Sequence, residues 1–148
     1  RSTDAVRWSA DARGYVGLIR SSVLALRVAS IRASDPLPQY EQALLGGTSM
    51  LRGYEFGYRA GDNLAAVSSE IRVPITSPVS MGRLGLKTFV DAGTVYSSGA
   101  KLGDQHFDRG IGAGVFFTAT VVRAGLDVAW PERGNGKPRW HFGLGVTF

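Results

Sequence analysis

The chain has 148 residues, 44% hydrophobic and 20% charged, a size and balance that exclude a chain disordered by composition. No window approaches the ~18 uninterrupted apolar residues of a membrane helix, and the richest stretch, Gly14 to Ile31, is broken by Arg20 and Arg27. With no cysteine there are no disulfides, thiolate metal sites or cysteine nucleophiles, while a net charge of +5 keeps nucleic acid open until the charges are placed.

Seven segments then alternate with period two, as a strand does when successive side chains point to opposite faces. From Val6 to Arg13, Val6 and Trp8 oppose Arg7, Asp11 and Arg13. From Ser22 to Ile31, Leu24, Leu26 and Val28 share a face opposite Arg27. Val67, Ser69, Ile71, Val73 and Ile75 oppose Ser68, Glu70, Arg72 and Pro74. Leu84, Leu86, Thr88, Val90 and Ala92 oppose Arg83, Gly85, Lys87, Phe89, Asp91 and Gly93. Ile111, Ala113, Val115 and Phe117 oppose a face of Gly110, Gly112, Gly114, Phe116 and Thr118. Val122, Ala124, Leu126, Val128 and Trp130 oppose Arg123, Gly125, Asp127 and Ala129. The last segment, Arg139 to Phe148, is the cleanest: Trp140, Phe142, Leu144, Val146 and Phe148 against Arg139, His141, Gly143, Gly145 and Thr147.

Strands of about ten residues suit a tilted bilayer crossing. Period two alone leaves open which face is inward. Aromatic residues at the ends of the apolar face and glycines on the charged one favour lipid outside and charge toward a lumen. The connections after the second strand run long (about Arg32 to Asn63), short (Thr76 to Ser80), long (Ser97 to Asp108), short (Ala119 to Val121) and medium (Pro131 to Pro138, with the turn formers Arg133 to Pro138), the outer-membrane pattern. A nucleic-acid surface would place cations and aromatics together, whereas Trp8, Trp130, Trp140, Phe117 and Phe142 lie opposite the charges. The expected class is all-β, an antiparallel transmembrane β-barrel segment.

The longest connection carries Leu45-Gly46-Gly47-Thr48-Ser49-Met50-Leu51-Arg52-Gly53-Tyr54, the next strand Glu70-Ile71-Arg72, the one after it Phe89-Val90-Asp91-Ala92-Gly93, and the chain ends on Phe148. In this order the sequence, from about Val6 to Phe148, resembles the C-terminal part of the outer-membrane assembly and two-partner-secretion barrels, the BamA-, TamA- and FhaC-like proteins of the bacterial surface antigen type. The resemblance implies about seven strands of a sixteen-stranded barrel, with the connection about 32–63 folding into the lumen. It implies a loop motif of Leu51, Arg52, Gly53 and Tyr54, with Arg52 meeting Asp91 and with Glu70 nearby. Arg72, Phe89 and Gly93 complete the strand motifs. It implies that Trp140, Phe142, Leu144, Val146 and Phe148 form a C-terminal signal read by the barrel-assembly machinery. The implied location is the bacterial outer membrane and the implied partners are its lipid and a polypeptide substrate, with no nucleic acid. The implied role is to insert outer-membrane proteins or to translocate a partner polypeptide, by lateral opening at the first and last strands or through the lumen.

For the Arg52–Asp91 pair, a structural tie is favoured over a gate, and reversing both charges is expected to restore part of the function lost by reversing one. Glu70 and Arg72 are read as bracing the lumen. His106, beside Asp104 and Asp108, is read as part of a solvated loop and not a metal site, and His141 as a lining residue. Ser49, Ser68 and Ser69 lack a His–Asp pair at a recognisable spacing, and Gly110-Ile111-Gly112-Ala113-Gly114 lacks the Lys-Ser/Thr of a phosphate loop. No catalytic residue, metal or cofactor is expected on this segment. Two other classes remain: a membrane anchor for a patatin-like lipase, betrayed by a Gly-x-Ser-x-Gly elsewhere, and a soluble basic β-protein that binds nucleic acid. The chain begins at Arg1 in mid-pattern, without an initiator Met or signal peptide, as expected of a fragment or a processed product, and the resemblance implies that residues 1–148 are the C-terminal part of one barrel domain.

Overall fold

The computed structural model describes residues 5–46, 51–76, 82–132 and 137–146, with backbone alone at Val146. Seven long strands form one antiparallel sheet. In chain order the strands are β1 (Arg7–Gly17), β2 (Val23–Ala33), two short ones β3 (Ala43–Leu45) and β4 (Arg59–Gly61), then β5 (Asn63–Thr76), β6 (Gly82–Tyr96), β7 (Asp108–Ala119), β8 (Val122–Pro131) and β9 (Arg139–Val146). The sheet order is β1-β2-β5-β6-β7-β8-β9, so every long strand pairs with the long strand before it, as an up-and-down barrel wall requires, and β1 and β9 are the sheet's open edges. All seven expected strands are present, several extending past the region of clean alternation. Pro74 lies beyond the last β2 partner, Arg72, where its missing N–H breaks no ladder bond on that side. The β5–β6 register shifts immediately after it.

The connection between β2 and β5 settles which face is inward, because it packs onto the face bearing Glu70, Asp91 and Asp127. The opposite face exposes Trp8, Leu26, Val28, Val67, Ile71, Leu84, Leu86, Val90, Ile111, Val115, Leu126, Trp130, Trp140, Phe142 and Leu144. A band of that extent far exceeds the apolar patches water-soluble monomers present and fits a lipid-facing wall.

The inner face is less uniformly charged than the alternation implies. At the long-loop end Leu64, Ala66 and Val95 form the wall of a buried apolar cluster with Ala43, Leu45, Leu51 and Tyr54 of the loop, and Ile31 packs against it. The physical reason is local: there the loop presents the apolar Leu51 and Tyr54 to the wall, so the inward side chains that meet them are apolar. Within the loop, β3 and β4 form a small hairpin, Ala43 opposite Gly61 and Leu45 opposite Arg59. Its period-two stretch of three residues is too short to stand out in sequence. The turn residues 133–136, most of the short connection (77–81) and the loop residues 47–50 lie outside the described residues.

Candidate functional site: the arginine docked on the inner wall

Four consecutive loop residues, Leu51 to Tyr54, meet all five strands from β5 to β9. Leu51 is fully buried in the apolar cluster. Arg52 Nε and Nη2 donate to the two carboxylate oxygens of Asp91 at 2.8 and 2.9 Å, the parallel fork that a planar guanidinium makes with a carboxylate. Its backbone N–H donates to Asp91 Oδ2 at 3.1 Å, Nη1 to Glu70 Oε1 at 2.6 Å, and Nη2 to Ser68 Oγ at 3.2 Å. Asp127 Oδ2 lies 3.7 Å from Nη1, and the Phe89 ring centre lies 3.5 Å from the guanidinium carbon. Burial opposes the charge on Arg52, but Asp91 and Glu70 more than compensate, so its pKa is raised and it stays cationic at every accessible pH.

The charges around Arg52 balance. Glu70 also holds Arg72, and Asp127 also holds Lys87 at 2.8 Å, giving three cations (Arg52, Arg72, Lys87) for three carboxylates (Glu70, Asp91, Asp127). A buried ion is tolerated when its partners neutralise it and fill its hydrogen-bonding positions. The strand motif now has a physical content. Phe89 supplies the face under the guanidinium, Asp91 takes the fork, and Gly93 leaves room where a Cβ would come within 2.8 Å of Leu45 Cδ1.

Gly53 has φ of 101°, a conformation side-chain-bearing residues rarely adopt, and its N–H donates to His141 Nε2 at 3.0 Å. His141 is therefore more than lining: its Nε2 must be unprotonated to accept, so it binds the loop as a neutral ring. The Tyr54 hydroxyl donates to the Arg109 carbonyl at 2.9 Å, and its ring stacks obliquely on Tyr58 at 4.8 Å. Glycines on β7 hold the loop close. A Cβ on Gly110 would fall 2.1 Å from the Arg52 carbonyl oxygen, and one on Gly112 would fall 2.5 Å from Phe89 Cζ.

Above this, a second tie joins the loops. Asp62 accepts the backbone N–H of Leu37 at 2.8 Å and of Ser98 at 2.9 Å, while Asn63 accepts from Ala33 N–H and donates to the Ser97 carbonyl. The Ser98 and Leu37 N–H groups hold the Asp62 carboxyl below its ordinary pKa. Asp108, expected in a solvated loop with His106, instead opens β7, is completely buried, and takes Arg59 Nη1 at 2.9 Å. It shares the inward parity of Gly110 and Gly112, the one signal in the sequence that could have placed it. Asp62 and Arg59 carried no such signal, since their roles depend on which loops meet.

Among the residues of the expected C-terminal signal, Trp140, Phe142 and Leu144 are exposed on the outer face of β9; Phe148 and the Val146 side chain lie outside the described residues. A search of curated proteins gave no match. A scan against protein families matched the Omp85 superfamily domain over residues 2–148. With that match spanning nearly every residue, the chain belongs to the Omp85 superfamily, whose members are outer-membrane barrel proteins that handle polypeptides.

Proposed function

We propose that this chain is barrel wall of an outer-membrane protein that inserts other outer-membrane proteins or passes a partner polypeptide across the membrane. The observation that carries the reading is the loop arginine, buried on the inner wall between Asp91 and Glu70 in a member of this superfamily. Such a tie fixes a long loop inside the lumen and keeps the passage shaped while a client is handled. The edge of β9 offers unpaired backbone groups to an incoming strand, and β-strand addition needs no particular client sequence. Trp140, Phe142 and Leu144 face lipid beside that edge, and with Val146 and Phe148 they are proposed to be read by the assembly machinery during insertion. The segment itself carries no catalytic step in this reading.

The test is reconstitution of the full-length protein in liposomes with an unfolded outer-membrane protein as client. A photo-crosslinking residue at Gly143 or Gly145 should capture the client only while it is folding, and Arg52→Ala should slow its folding or passage. Clients that fold or cross at the same rate without the protein would refute the proposal.

A further inference from the structure

The charges on the inner wall are paired unevenly. Toward the long-loop end Asp108 holds Arg59, Asp11 holds Arg27 and Arg13, and Asp91 and Glu70 hold Arg52. At mid-wall Glu70 holds Arg72 and Asp127 holds Lys87. Toward the long-loop end the exposed Arg7 and Arg139 also have no carboxylate within ion-pair distance among the described residues, but at the short-turn end two such cations stand close together. Arg83 and Arg123 are exposed, and among the described residues neither has a carboxylate within ion-pair distance.

They stand in one row. Arg83 pairs with Thr118 across β6 and β7, and Thr118 with Arg123 across β7 and β8. Two strand spacings separate the arginine backbones, about 10 Å, with the Thr118 hydroxyl between. An anion resting over Thr118 is within reach of both guanidiniums. The next row inward is Gly85, Phe116, Gly125 and Gly143, three glycines around one ring. It opens onto a cavity of about 330 Å³ whose lining includes Phe116, Thr118, Arg123, Asp127 and His141 and which reaches up to Arg52. At Gly143 and Gly145 a Cβ would meet nothing within 4 Å, so the backbone there lies bare. Gly85 lies beneath the Phe116 ring and Gly125 beside Lys87 Nζ, so the bare backbone is that of Gly143 and Gly145 on β9. A cationic pair, one aromatic ring and that stretch of bare backbone fit an extended chain with an acidic side chain better than a compact anion.

We propose that this row is a binding surface for an acidic stretch of an extended polypeptide, with Arg83 and Arg123 engaging a carboxylate over Thr118 and Phe116 taking the neighbouring side chain. The proposal rests on the polypeptide-handling reading above and names the chemistry of the segment received at the short-turn mouth, the periplasmic one in that reading.

The probe is a short fluorescent peptide alternating Asp with Val, and its counterpart with Asn for Asp, titrated by anisotropy onto the full-length protein folded in detergent micelles. The Asp peptide is expected to bind, more weakly at high salt, and the Asn peptide to bind at least several-fold more weakly. Arg83→Gln and Arg123→Gln should each weaken binding roughly three- to tenfold, and the Arg83→Lys/Arg123→Lys double variant should keep most of it. Unchanged heat-modifiable gel migration confirms that the variants fold. Equal binding of the two peptides, or a Gln double variant that binds like the parent, overturns the proposal. So does displacement of the peptide by inorganic phosphate or anionic-lipid vesicles at matched charge, which would assign the row to phosphate. If the peptide fails to bind while clients still fold in liposomes, this inference falls and the proposed function stands.

Discussion

Replacing Asp91 with Asn tests the loop tie with almost no change of shape. Asp91 is 1% exposed and accepts four hydrogen bonds: Arg52 Nε, Nη2 and N–H, and the Ser68 hydroxyl. An Asn would keep its oxygen toward Nε and the backbone N–H, where two donors converge, and turn its amide group toward Nη2 and Ser68. The serine hydroxyl can reverse and accept, but Nη2 has no lone pair, so one charge-assisted bond worth about 1.5–3 kcal/mol is lost. The other bonds weaken as the carboxylate charge disappears. Glu70 remains at 2.6 Å and limits the damage. The sum is about 3 kcal/mol, the low end of the range for removing one partner of a buried ion pair, or about 150-fold in the docking equilibrium at ~1.4 kcal/mol per tenfold. Arg52 is itself a trypsin site hidden while the loop is docked. Cleavage of a transiently opened segment follows the open population, so cutting after Arg52 should accelerate by about two orders of magnitude. Combined with Glu70→Gln the effect should be non-additive, because both carboxylates hold one guanidinium. An unchanged cleavage rate in a folded Asp91→Asn variant would refute the account.

Reversing the charges, Arg52→Asp with Asp91→Arg, should not restore docking, contrary to the partial rescue expected from a simple pair. The new aspartate would face Glu70 and Asp127; adding Glu70→Gln should recover part of the loss, read by the same trypsin assay. Gly110→Ala should push the loop backbone off β7, costing about 1–3 kcal/mol and exposing the same site, whereas Gly57→Ala, with open space around it but a strained φ, should affect only local backbone order. His141→Phe should leave the Gly53 N–H without an acceptor, at about 1–3 kcal/mol, and speed its amide exchange, while His141→Gln should retain most of the protection. The external tie should be acid-sensitive. The folded Asp62 carboxyl titrates below its unfolded value, so its contribution is present above the unfolded carboxylate pKa and is lost as pH falls through the depressed folded one. The Leu37 and Ser98 amides should exchange faster, relative to intrinsic rates, below about pH 4, and Asp62→Asn should abolish that step.

Period two made the seven strands and their two faces legible, because apolar and polar side chains alternate along each strand and the sheet has no crossover to disguise it. It failed at the strand ends: Leu64 and Val95 point inward although apolar, since a loop covers them there. The meeting of Arg52, Asp91 and Glu70 was reachable from the inward parity of the two carboxylates joined to the family resemblance. What escaped were contacts whose second partner is backbone, and the Arg59–Asp108 pair, whose arginine sits in a loop without periodicity. A histidine that accepts from Gly53, or an aspartate that gathers two loop amides, leaves no complementary side chain in the sequence to find.

The segment Leu51 to Tyr54 takes its partners from β5 (Glu70), β6 (Asp91), the Arg109 carbonyl of β7, Asp127 of β8 and His141 of β9. These groups come together only when five strands stand in correct register, since a slip of one residue would turn the carboxylates to the lipid side. The loop precedes all five in the chain, yet its seat does not exist until the last of them has been laid down. Docking is thus a late event that inspects the finished wall, and a misregistered barrel would announce itself by an arginine left outside.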